Sequence, residues 1–125
     1  MAHSTAADPG CISAENDARQ MGTTISADGT AITRDENNPS AVFTDLRKFQ
    51  TDMQTLQGHL SSAEAQAQHQ SVKTQIAALT SDINTLNTSL QALENGDTSQ
   101  VSQLSTVANK LQTDGDALDS TCSKL

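Results

Sequence analysis

The chain has no tryptophan, no tyrosine and only two phenylalanines among its 125 residues. Sugar binding usually relies on aromatic platforms, so that class of function has little to be built from. Positive charge is scarce as well: seven Lys and Arg stand against fifteen Asp and Glu, for a net charge of −8. Phosphates and anionic lipids are recognised by clustered Lys and Arg, which disfavours nucleic acid and membrane surfaces as partners. No apolar run approaches the ~20 residues that cross a bilayer. The opening MAHSTAADPG lacks a positive start followed by an apolar stretch, so no secretory signal is visible. Leu, Ile, Val and Phe make up less than a fifth of the chain, a composition close to that of disordered proteins. Whether the chain folds therefore rests on how its few apolar residues are spaced.

They are spaced as helices. From Val42 through Leu46, Phe49, Met53, Leu56, Leu60 and Ala63 to Ala67 the steps alternate between four and three residues, which keeps the side chains on one stripe. Asn38 is placed to cap this helix, with Pro39 at its first position. A second stripe runs through Val72, Ile76, Leu79, Ile83, Leu86, Leu90 and Leu93. Its register differs, which predicts a turn near Gln68–Ser71 with Ser71 as cap. Gly96 closes this helix, being suited to the left-handed position after a helix end. Asp97 and Gln100 have capping-box spacing. Val101, Leu104, Ala108, Leu111, Gly115, Leu118 and Cys122 then form a further seam. The first segment is more ambiguous. Ser13 can cap a helix whose seam is Cys11, Ala14, Ala18, Met21 and Ile25, but TTISADGTAIT also reads as a two-residue hairpin. A lone hairpin is marginal in water, which favours a helix to about Thr33, followed by a DENNP loop.

Four helices joined by short loops predict an all-α, antiparallel up-down-up-down four-helix bundle. The alternative is a three-helix bundle preceded by a hairpin or irregular segment. Residues 1–10, His3 among them, read as a disordered or non-native N-terminal stretch, and residues 11–125 as one domain. In the four-helix topology the first and last seam positions, Cys11 and Cys122, lie at the same end and point inward. They are the only cysteines, and a bond between them is expected. Closing a loop of about 110 residues is worth ~4–5 kcal/mol in the chain-entropy model, and implies an oxidising compartment. A chain that opens ADPGC, closes LDSTC and is helical between resembles the small secreted haemophore-like proteins of actinobacteria. The resemblance implies secretion. Members of that family bind haem through Tyr and His, and this chain has no Tyr.

The search for chemistry yields little. His59 and His69 are ten residues apart, not the i, i+4 pair with which one helical face grips a metal. With Met53 they sketch a soft ligand-binding set of Met53, His59 and His69, suited to copper or haem; solvated histidines beside a core methionine are the plainer account. Asp114, Asp116 and Asp119 lack the spacing of a calcium loop. No nucleophile elbow and no glycine-rich phosphate loop occur, and the seams are almost wholly apolar or small, Asp28 excepted. The expectation is a secreted, acidic, non-enzymatic domain without cofactor or metal, monomeric, with a structural or protein-interaction role in the cell envelope or medium. Neutral polar faces carrying Thr51, Thr55, Gln57, Gln75, Thr85, Asn87, Thr88 and Gln91 could dock on a protein or cell-wall polymer. The alternative is a carrier of haem or a small apolar ligand. For a carrier, the small seam residues Ala14, Ala18, Ala63, Ala67, Ala108 and Gly115 must leave space rather than let helices close together.

Overall fold

The computed structural model describes residues 8–97, 99 and 101–125. Four α-helices follow one another: α1 (Pro9–Arg34), α2 (Pro39–Gln66), α3 (Gln70–Glu94) and α4 (Val101–Ser123). Each packs against the next, and α4 returns to α1, which makes the four-helix bundle that the spacing predicts. No strand occurs among the described residues. The hairpin alternative is overturned, since residues 23–33 lie wholly within α1. Their β-branched side chains are accommodated by tertiary contacts: Ile25 and Ile32 pack against the core, and Asp28 is buried. Propensity is a weak prior when packing decides otherwise.

The helix ends follow capping chemistry. Asn38 accepts from the Ala41 amide, with Pro39 at the first position. The same Asx-Pro arrangement starts α1, where Asp8 is the cap and Pro9 the first residue, so Ser13 lies inside the helix rather than before it. Residues 8–10 thus belong to the bundle, which begins before residue 11; residues 1–7, including His3, lie outside the described part. The turn between α2 and α3 is centred on Ala67–His69, with His69 in the cap position expected for Ser71. At the end of α3, Gly96 takes φ +92°. Its amide donates to Leu93 O, and the Asp97 amide donates to Ala92 O, which satisfies the last carbonyls. Gln100, the expected capping partner of Asp97, and the Val101 side chain lie outside the described part.

The core contains the predicted stripes of α2 and α3 almost complete: Leu46 to Ala67 and Val72 to Leu90 are buried, with Val42 and Leu93 partly so. Burying each such aliphatic side chain contributes about 1.5–3 kcal/mol. α4 departs from its predicted seam. Leu111, Leu118 and Cys122 are buried, but Leu104, Ala108 and Gly115 are only partly so, and Val107 is buried in addition. On the same helix Lys110 Nζ lies 3.1 Å from Asp82 of α3 and 2.8 Å from Asp114. On the first pair of helices Lys48 Nζ lies 3.2 Å from Asp28 and 2.7 Å from Asp52.

These two bridges expose an internal repeat. Lys48-Phe49-Gln50-Thr51-Asp52 on α2 corresponds to Lys110-Leu111-Gln112-Thr113-Asp114 on α4, and Ile25-Ser26-Ala27-Asp28 on α1 to Leu79-Thr80-Ser81-Asp82 on α3. Each helical hairpin therefore uses the same device: a buried Asp on its first helix, and a Lys with an Asp one turn later on its second. The two hairpins, α1–α2 and α3–α4, thus share this device.

Candidate functional site: a groove between the first and last helices

One end of the bundle is tightly closed. Cys11 and Cys122 form a disulfide, with Cα atoms 5.9 Å apart. Beside it Gly10 lies so close to the α2–α3 turn that a Cβ there would meet Ala67 Cα at 2.6 Å and Ala63 O at 2.8 Å. The small residues Ala14, Ala63 and Ala67 are buried at this end and serve close approach. Asp8 fixes the same end. Fully buried, its carboxylate accepts from the amides of Gly10 (3.0 Å), Gln68 (3.1 Å) and His69 (2.9 Å), and lies 2.8 Å from His69 Nδ1. Burial pushes Asp8 up, but these hydrogen bonds outweigh it and hold the carboxyl below its ordinary range. One side chain thus caps α1 and clasps the turn between α2 and α3.

Away from the disulfide, α1 and α4 part. Between them lies an open groove of about 650 Å³ lined by Glu15, Ala18, Met21, Gly22, Ile25, Leu111, Gly115 and Asp119, among others. It adjoins a second of about 760 Å³, which shares Ile25, Ser26 and Ala108 and is floored by Ile32, Phe49, Leu86 and Leu104. A Cβ built on Gly22, Gly29 or Gly115 would meet nothing within 4 Å. These glycines do not mediate a close helix contact; they leave space.

The repeat explains where this space comes from. Exchanging the two hairpins maps the α2–α3 interface onto the α4–α1 interface. On α3 the repeat positions hold Val72, Ile76 and Ile83, all fully buried; on α1 they hold Ala18, Gly22 and Gly29. On α2 they hold Leu46 and Met53, and on α4 Ala108 and Gly115. Five large apolar side chains fill one interface, and five small residues occupy their counterparts. The groove lies where the closed interface carries those larger side chains.

Charge is arranged around it. Glu15 on α1, Arg19 one turn on and Asp119 on α4 all line the groove; burial first, and then the neighbouring Asp119 carboxyl, push Glu15 up to about 7, with Arg19 opposing. In the hairpins the inner carboxyl of each pair is raised: Asp82 to about 6, by burial and then by Asp114, and Asp28 by burial and then by Asp52. Asp114 is held down, mainly by its bond with Asp82. For Asp52, burial is outweighed by bonds from Lys48 and Asp28.

The histidine–methionine set is not gathered into one place. Met53 is fully buried in the core. His59 stands half exposed on α2, its Nδ1 4.0 Å from Asp17 of α1. His69 sits at the closed end with Asp8, and neither histidine lines the groove. Among the described residues no group of three or more His, Cys, Asp or Glu could hold a metal ion. The neutral polar faces are partly self-satisfied: Thr55, Thr85 and Thr88 donate to carbonyls of their own helices, and Gln57 donates to Asn84 across α2 and α3. Sequence reasoning missed Asp8, the lysine bridges and the groove. The repeated K-[FL]-Q-T-D was the signal that would have aligned the hairpins and shown which positions had lost their bulk. Among the described residues no helix is long and apolar enough to cross a membrane. No family of proteins, no curated protein and no solved structure matches the chain.

Proposed function

We propose that this protein is a small, secreted, non-enzymatic binding domain of the cell envelope or medium, which holds an elongated apolar partner in the α1–α4 groove. The observation that carries the reading is the asymmetry between equivalent interfaces, one filled by Leu46, Met53, Val72, Ile76 and Ile83 and the other left open. Leaving apolar surface unfilled forgoes stability, and each part of the groove has the size of a small-molecule site, about 300–1,000 Å³. The disulfide supports an oxidising compartment. Exposed threonines whose hydroxyls already bond their own helix make the outer faces less suited to recognition than the groove.

The test is a native intact mass of protein isolated from its source and alkylated without reduction. An unalkylated monomer carrying a stoichiometric extra mass is the expected result. A variant with Ala108→Leu and Gly115→Met, which restores the side chains of the α2 counterparts, should lose that mass while keeping its helix content. Retention of the same mass by the filled variant would place the partner elsewhere, and the absence of any added mass from the natural protein would remove the carried ligand.

A further inference from the structure

We propose that the two hairpins carry matched proton locks: a proton on the buried carboxyl of Asp28 joins α1 to α2, one on Asp82 joins α3 to α4, and the two interfaces loosen together when those protons are lost. The locks do not depend on what the groove holds. They fasten its walls, since α1 and α4 each belong to one locked pair.

The geometry is the same at both places. Asp28 and Asp82 are only 4 % and 3 % exposed. Oδ1 of each faces a lysine ammonium, 3.2 Å from Lys48 Nζ and 3.1 Å from Lys110 Nζ. The same ammonium touches a second carboxyl one turn further along its own helix, Asp52 at 2.7 Å and Asp114 at 2.8 Å. One cation thus keeps two carboxyls side by side across each helix pair. The remaining oxygen, Oδ2 of both Asp28 and Asp82, is buried without a hydrogen-bond partner. In an ionised carboxylate that atom would carry desolvated charge with no donor, which is strongly unfavourable. A proton there turns an orphaned acceptor into a hydroxyl donor, and the carboxylate that shares the lysine is the acceptor beside it. Protonated, each cluster holds one negative and one positive charge. Deprotonated, two negative charges share one ammonium at the edge of the core.

The surrounding groups do not offset that loss. Asp28 meets Lys48 and Asp52 of α2, with His59 lining the same hollow; Asp82 meets Lys110 and Asp114 of α4. Among the described residues no further cation lies at ion-pair distance of either aspartate. Burial first, and then the neighbouring carboxyl, raise Asp28 and bring Asp82 to about 6, while Asp52 and Asp114 are held below their ordinary 3.8 and stay ionised. The folded form therefore holds more protons than the unfolded chain above 3.8. Both interfaces weaken as the pH rises from there through the raised values.

The side-chain carboxyl carbons of Asp28 and Asp82 would be followed by NMR over about pH 3 to 8 in the oxidised protein, together with amide hydrogen exchange along the helices. Both carboxyls should titrate above 3.8, Asp82 near 6. Protection of the amides around them, corrected for intrinsic exchange, should fall about tenfold or more between about pH 5 and 7.5. Asp28→Asn combined with Asp82→Asn, which keeps an uncharged donor facing Asp52 and Asp114 at every pH, should hold that protection constant. Asp52→Asn combined with Asp114→Asn should lower both midpoints by removing the neighbouring charge. Carboxyls that titrate at the ordinary value would overturn the placement of the protons. Raised midpoints without loss of protection would overturn the lock. So would an equal loss in the Asp28→Asn, Asp82→Asn variant, which would assign it to Glu15 or the histidines. The titration and the exchange are both read on the natural protein, so a variant that does not fold removes neither test.

Discussion

Replacing Asp8 by alanine is the sharpest test of how the closed end is held. The carboxylate accepts from three backbone amides and faces the His69 ring, and it has no exposure to water. Losing the cap of α1 costs about 1 kcal/mol. The Gln68 and His69 amides lose a charged acceptor; with water reaching this half-exposed turn, each loss is worth about 1 kcal/mol. The total is about 3 kcal/mol, or roughly 10 °C in melting temperature for a domain of this size. Asp8→Asn keeps one acceptor oxygen and should lose less. Because the folded carboxyl lies below its ordinary value of 3.8, its stabilisation is complete above that pH and is lost as the pH falls through the folded value. The gap between natural protein and Asp8→Ala, measured by calorimetry with the disulfide intact, should therefore be full at pH 7 and narrow as the pH falls below 3.8. A variant melting within about 2 °C of the natural protein at pH 7, or a gap that does not narrow in acid, would refute the reasoning.

Reducing the disulfide, or replacing both cysteines by serine, should lower stability by about 4–5 kcal/mol in denaturant titrations. Asp82 has the opposite pH sign to Asp8. With its folded value near 6 against an ordinary 3.8, the folded state binds the extra proton between them, and stability should fall as pH rises through that window. Scanning the melting temperature from pH 4 to 7 should show the decline; Asp82→Asn should make it shallower without abolishing it, because Glu15 and Asp28 are raised as well. Gly10→Ala should destabilise by about 1–3 kcal/mol, since its Cβ would collide with the backbone of α2 and the turn after it. Gly22→Ala, whose Cβ meets nothing, should stabilise by up to about 1 kcal/mol through helix propensity. Similar melting temperatures for these two glycine variants would mean that the closed and open ends are not as different as described.

The helices, their order and the cysteine pairing were legible because each is written locally or follows from topology. An alternating four-and-three spacing specifies a helix face whatever its neighbours are, and two inward cysteines at one end of a bundle have only each other. The start of α1 was readable from Asp8-Pro9 by the same grammar as Asn38-Pro39, yet DPG also reads as a loop, and nothing local shows that the α2–α3 turn supplies amides to Asp8. The groove was hidden for a different reason. Small residues on a seam mean close approach in one setting and vacancy in another: Ala63 and Ala67 serve the first, Ala108 and Gly115 the second. Only the distance between helices separates the two. Likewise Asp28 stood out as a polar residue on a seam, but its partner Lys48 is twenty residues away and belongs to another helix.

The Cys11–Cys122 bond also decides how the domain responds to tension. A pull applied through the chain before Cys11 and after Cys122 runs straight across two sulfur atoms, between Cα atoms only 5.9 Å apart. The helices between them carry none of the load. Tethered by its ends, the bundle would behave as an inextensible knot in a string, keeping its groove in shape at forces that unravel an unbridged helical bundle. It would become a long compliant spring only once the bond was reduced.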